Sequence, residues 1–280
     1  MLTTDSCQTL RPGHARLEVE RVCGQSAVTT AWAVNPLRLL TPVPRGPSVW
    51  AYTSSFGGGH VAGDQTRLEV KVRAGARCFI STQAVTKAYR NPGLRPCGHA
   101  GLAQVDEDGV LVFAPDPVQA FASAAFTQFQ EWHLHPGAGL VLLDWFCSGR
   151  AARGERWAFA RFQTRNDVFV GDELIFRDAL ALESSAHSSV AWHRDGRFDV
   201  FALLLLIGTP LQSFAGPLLA EVNARPIERA GPVVVGASRL RDGAVLRIAG
   251  ATVEAVAKEW ERHLRPLRAI LGDDPWRRKW

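Results

Sequence analysis

Charge is scarce in this chain. Asp, Glu, Lys and Arg make up 21% of its 280 residues, below the usual quarter of a globular domain. The net charge of +5 is not gathered into one run, the tail "PWRRKW" excepted. A nucleic-acid interface needs a basic stripe with stacking aromatics, so this pattern argues against one. Cysteine is also sparse. Cys7, Cys23, Cys78, Cys97 and Cys147 are odd in number and far apart, and no C-x-x-C occurs. A zinc ribbon is thereby disfavoured, and free thiols in a reducing compartment are expected. Long apolar runs are missing: the longest lies within "VFALLLLIG", far short of a membrane span. The opening "MLTTDSCQTLRPG" has no basic n-region and no apolar h-region, so it does not read as a secretory signal. A soluble cytoplasmic protein, without membrane or nucleic-acid partners, is expected.

Nucleotide and hydrolase signatures are missing as well. In "SSFGGGHVAGDQTRLEVKV" (residues 54–72), Gly58 and Gly63 have the spacing of a phosphate-binding loop. Asp64-Gln65 then stands where Lys-Ser is needed, and an acid there repels phosphate. A dinucleotide loop must open a helix, yet the residues after Asp64 alternate like a strand. The glycines are better read as a backbone corner before that strand. No G-x-S-x-G elbow accompanies the Ser, His and Glu of "ESSAHSSVAWH" (183–193). Cys147 would need a positioned base to act as a nucleophile, and a buried thiol is the simpler reading.

An apolar share of 46%, with nine Trp and fourteen Phe, supports a sizeable core. Some aromatics are also candidates for interfaces. Most of the chain reads in period two. "TRLEVKV" sets Leu68, Val70 and Val72 on one face. "LAQVDEDGVLVF" reads as a hairpin around Asp108-Gly109, and "VVVGASRLRDGAVLRIAG" as another around Asp242-Gly243. Helices are few. One is expected near "GPLLAEVNARP", with Pro217 at its first position and Leu218, Leu219 and Val222 on its apolar face. A clearer one spans "ATVEAVAKEWERHL", with Val253, Val256, Ala257, Trp260 and Leu264 at three-four spacing and Pro266 limiting it. No internal repeat is visible. The expected architecture is mainly β: one β-rich, helix-poor scaffold domain over residues 1–280, of many short strands with one or two helices toward the C-terminus. Residues 1–14 and 273–280 are expected to be flexible.

Candidate metal ligands are thin. His133 and His135 would share a strand face, and with a carboxylate they would suit a metal-dependent hydrolase. Cys97 and His99 form a second pair on a Pro- and Gly-rich loop. His60 lies in the glycine corner beside Asp64.

Several stretches together resemble the urease accessory protein UreD (UreH) family. They are "NPLRLLTP", "SSFGGGHVAGDQTRLEVKVRAGARCFISTQAVTKAYR", "LVFAPDPVQAFASAAF", "LLDWFCSGRAARGERWAFARFQT" and "EWERHLRPL", in that order. The resemblance implies a β-rich scaffold that is not an enzyme and holds no tightly bound cofactor. It implies action with UreF and the GTPase UreG on urease apoprotein, in support of nickel insertion, with transient Ni2+ contact. It further implies that Gly57, Gly58 and Gly63 shape the corner, and that Asp64 presents a carboxylate at an internal passage for nickel. His60 departs from the family pattern, which usually has an apolar residue there, and is either an added nickel ligand or a tolerated substitution. Ala62 replaces a common glycine. Trp260 and Val256 are candidates for a UreF-facing surface, with plain coverage of a sheet as the alternative. A protein–protein module without metal contact is the other reading.

Overall fold

A computed structural model describes residues 11–43, 46–183, 196–228 and 230–278. Two antiparallel pairs come first: β1 (His14–Val22) with β2 (Gln25–Ala33), and β3 (Leu37–Leu40) with β4 (Val49–Ser55). Then follow β5 (Gly59–His60), β6 (Gln65–Val72), β7 (Arg77–Thr82), β8 (Thr86–Ala88) and β9 (Gly98–Val105). Next are β10 (Val110–Phe113), β11 (Val118–Ala120), β12 (Ala125–Leu134) and β13 (Gly139–Cys147). A small ribbon, β14 (Gly149–Arg150) with β15 (Glu155–Arg156), precedes the hairpin of β16 (Arg161–Val170) and β17 (Glu173–Glu183). The chain ends through β18 (Val200–Ile207), helix α1 (Gln212–Ala224), the hairpin β19 (Val233–Leu240) and β20 (Gly243–Gly250), helix α2 (Val253–Leu264) and the short α3 (Arg268–Leu271). Among the described residues, strands hold 52% and helices 16%, so the β-rich, helix-poor expectation is met.

The topology is a coil. One sheet runs β17-β16-β12-β9-β6-β1-β2, the other β19-β20-β18-β13-β10-β7-β4-β3. From β4 to β16 the long strands alternate between the sheets, so β6, β9, β12 and β16 stack in parallel in one, and β4, β7, β10 and β13 in the other. Short β5, β8 and β11 stack in parallel along one corner. The structure therefore repeats where the sequence shows no repeat.

One expected hairpin is corrected. β9 and β10, on either side of Asp108-Gly109, belong to opposite sheets. Both edges of β9 are taken by β6 and β12, and both edges of β10 by β7 and β13, so the turn arches between sheets. Asp108 holds the left-handed φ of 55° that such a turn needs. The Asp242-Gly243 turn does close a hairpin, with Leu240 opposite Gly243.

Burial explains why the middle strands are apolar throughout. All nine residues of β13 are buried. Leu140 and Leu142 face the space between the sheets, with Leu17, Val70, Ile80 and Leu111. Val141, Leu143 and Trp145 face the helices. A strand covered on both faces carries no polar alternation.

α1 begins five residues earlier than expected, and Pro217 lies inside it. Leu218, Leu219 and Val222 are buried as its apolar face predicts. α2 is capped by the Thr252 hydroxyl, which accepts the Ala255 N–H at 3.1 Å. Trp260 and Val256 lie underneath α2 in the core, with the Trp260 ring 5.6 Å from Trp145 and 5.9 Å from Trp276. Val256 is 0% and Trp260 5% exposed; of the two alternatives, the geometry is that of sheet coverage. Residues 275–278 form a 3-10 turn rather than a loose tail, because Trp276 packs edge-on to Phe79 at 5.6 Å.

On β16, buried Asp167 accepts hydrogen bonds from Arg177 at 2.7 and 2.9 Å and pairs with Arg165. The Arg177 bonds, with Arg165 assisting, hold its carboxyl at about 2 against the opposing effect of burial. A folded value below the unfolded one stabilises above about pH 4, and that stability is lost as pH falls toward 2. Asp167→Asn is expected to cost about 1–2 kcal/mol at pH 7. In urea titrations the gap between variant and parent should close below about pH 3. A gap that stays constant down to pH 2 would refute the assignment.

Candidate functional site

The glycine corner joins β4 to β6. Gly57 and Gly58 have φ of 87° and 71°, and the Gly57 carbonyl accepts from the Tyr89 hydroxyl at 2.9 Å. These are left-handed conformations that glycine adopts without strain. Gly63 holds φ 96°, a conformation in which any side chain is strained, and a Cβ there would also push aside the mobile end of Arg95, 2.6 Å away. Asp64 closes the turn. Its N–H donates to the Val61 carbonyl at 3.0 Å, and its carboxylate accepts the Val61 N–H at 2.8 Å. The Asp64 carboxylate is thus engaged with the backbone, within electrostatic reach of His60 and Cys97.

His60 points inward and is 5% exposed. Its Nε2 is 2.9 Å from the Thr66 hydroxyl, which is 2.8 Å from Nδ1 of His99. The three side chains form one hydrogen-bonded chain, with the His60 ring tilted over Phe126 at 5.3 Å. Burial lowers the pKa of His60, with Asp64 opposing. Burial and then the neighbouring His60 push His99 down to about 3. Both imidazoles are neutral at physiological pH, the form that ligates metals.

Behind the corner lies a cavity of about 140 Å³, lined by His60, His99, Thr82, Asp116, Gln128 and Asp144 among others. Asp144 is the single acid of β13, on the face that Leu140 and Leu142 turn between the sheets. It reaches across the gap. Gln128 donates to it at 3.0 Å, Thr164 at 2.8 Å and Asn166 at 2.6 Å. Burial raises its pKa, and the bonds from Thr164, Asn166 and Gln128 act the other way. Asp144 also lines a second cavity of about 380 Å³, with Thr164, Asp178, Arg247 and the aromatic walls Phe146, Trp157 and Phe201. Asp178 accepts from Arg247 at 2.6 Å.

Strand register links the two cavities. Thr66 stands opposite His99, His99 opposite Gln128, and Gln128 opposite Thr164. In-register neighbours on adjacent strands are about 4.8 Å apart. A row of polar side chains therefore crosses four parallel strands, from the glycine corner to the Asp144 carboxylate. Sequence reasoning named His60, Asp64 and His99, but it placed His99 on a loop with Cys97 rather than on β9 and so missed this row. One signal was available: an unexplained Asp in the otherwise apolar "GLVLLDWFC".

Other candidates are not assembled. His133 stacks on Phe169 at 4.8 Å and lies 3.6 Å from Glu131. His135 sits beyond the end of β12, where its Nδ1 accepts the Gly137 N–H at 3.1 Å. The proposed shared strand face is broken because the strand stops between them. Burial, with Asp64 adding, pushes the Cys97 thiol up to about 11, and burial also raises Cys147, so both stay protonated. Residues 184–193 of the Ser/His/Glu stretch, and Cys7, lie outside the described residues. Among the described residues no three His, Cys, Asp or Glu side chains gather as a metal-binding cluster. No described helix is long and apolar enough to cross a membrane.

The family model described as UreD urease accessory protein matches residues 11–280. The chain is 40% identical to "Urease accessory protein UreD" of Anaeromyxobacter sp. (strain Fw109-5), covering 96% of this chain and 90% of that protein. It is 42% identical to the protein of the same name from Sorangium cellulosum, covering 96% and 85%. It is 32% identical to "Urease accessory protein D" of Oryza sativa subsp. indica, covering 93% and 94%.

Proposed function

The chain belongs to the UreD family of urease accessory proteins, and we propose that it is a non-catalytic scaffold for nickel insertion into urease apoprotein, acting in the cytoplasm with UreF and the GTPase UreG. Nickel(II) is cargo here, not a resident cofactor. The observation that carries the passage is the polar row from Thr66 through His99 and Gln128 to Thr164, ending at Asp144 between two cavities. Imidazole, amide, hydroxyl and carboxylate donors all suit nickel(II). Donors spread along a row, rather than closed into a cluster, favour passing an ion onward over holding it. His60 and Asp64 stand at the corner end of this path. The GTPase chemistry falls to UreG, in keeping with the missing nucleotide motif.

Co-expression with the urease subunits, UreF and UreG, leaving out each in turn under limiting nickel, tests the role. Omitting this chain is expected to abolish urease activation; unchanged activation would refute it. Asp64 is tested separately. Asp64→Asn keeps an acceptor for the Val61 N–H and removes the charge. Normal folding and partner binding with reduced activation are expected. Activation at the parent level would support a module that makes no metal contact through Asp64.

A further inference from the structure

His60 carries an orphan atom. Its Nδ1 is buried and makes no hydrogen bond, although nearly all buried polar atoms are partnered. Its other nitrogen is committed: Nε2 lies 2.9 Å from the Thr66 hydroxyl. That hydroxyl has one proton and three neighbours, namely His60, His99 Nδ1 at 2.8 Å and the Gly98 carbonyl at 3.4 Å. When the proton goes to His99 or to Gly98, the Thr66 oxygen can only accept from His60. Nε2 of His60 then bears the hydrogen, and its Nδ1 is left with a bare lone pair. This is the arrangement of a metal-ligating histidine, whose second ring nitrogen donates to a fixed partner that sets tautomer and ring orientation. His60 lines the 140 Å³ cavity together with the oxygen-bearing side chains Gln128, Asp116 and Asp144.

We propose that His60 Nδ1 is a ligand for a borderline divalent cation in this cavity, with Thr66 as the residue that positions it and water and cavity oxygens completing the coordination. The proposal rests on the nickel-passage reading and names its first ligating atom. A single imidazole gives a site that releases its ion. Imidazole nitrogen also favours nickel(II) over the hard cations magnesium and calcium, which take oxygen ligands. His99 serves at second hand, by taking the Thr66 proton.

The test is a titration of the purified full-length protein with nickel chloride, followed by calorimetry and by nitrogen-15 spectra of the imidazoles. Before nickel, His60 is expected as the Nε2–H tautomer. On titration, paramagnetic broadening is expected to begin at His60. Thr66→Val is expected to weaken binding on the order of tenfold, and His60→Phe, which keeps the volume filled, to remove the step. Magnesium chloride is expected to leave the His60 signals unchanged. A proton on Nδ1 in the free protein, or undiminished nickel binding by folded His60→Phe, would overturn the site. So would unbroadened His60 signals, which would mean that trapped water alone satisfies the atom. Activation in the co-expression assay separates the two readings. If the parent chain activates urease while His60→Phe binds nickel normally, the ligand assignment fails and the scaffold role stands. If the parent chain does not activate urease, the scaffold role fails whatever the titration gives.

Discussion

Trp260→Ala is expected to destabilise the protein by about 3–5 kcal/mol, the usual cost of emptying a large buried aromatic site. The Trp260 ring is 5% exposed and lies edge-on to Trp145 and Trp276, between α2 and the outer face of the helix-covered sheet. Its Nε1 makes no hydrogen bond, so the loss is one of packing alone. The surrounding aromatics are held by the sheet and by the 275–278 turn, and they cannot collapse into the space. Urea unfolding measures the effect. Where the variant remains folded, co-purification with UreF is expected to persist, since the side chain is almost wholly buried. Near-parent stability combined with lost UreF binding would reverse this assignment.

Asp144→Ala has the second largest expected effect. It removes the acceptor for Gln128, Thr164 and Asn166 at once. Buried donors left unpaired cost about 1–3 kcal/mol each. Water entering from the two adjoining cavities offsets part of this, so about 2–4 kcal/mol is expected in total. Asp144→Asn separates fold from function. It keeps the volume and one acceptor oxygen but replaces the carboxyl group on the path with an amide. The Asn variant is expected to remain folded, while urease activation at limiting nickel falls on the order of tenfold. Parent-level activation by a folded Asn variant would take Asp144 off the path.

The sequence by itself determined which residues are inward and what kind of protein this is. Period two in "TRLEVKV" placed Leu68, Val70 and Val72 inward, and they are buried. Three-four spacing located α2, whose Val256, Trp260 and Leu264 are buried. Those signals are local: each reports one segment's own geometry. The ordered motifs carried the family, because they are strings of residue identities and need no coordinates. Only the tertiary structure decided what meets what. Asp108-Gly109 looks the same in a hairpin and in an arch between sheets, and the choice depended on which strands had already claimed the edges of β9 and β10. Trp260 had equal claims as interface and as core until Trp145 and Trp276 were found against it. The candidate site is the clearest case. Thr66, His99, Gln128 and Thr164 are each about thirty residues from the next, and parallel register alone sets them in one row. Asp144 joins them from the opposing sheet. A coil brings distant residues together at the spacing of a strand, and no pattern along the chain encodes that distance.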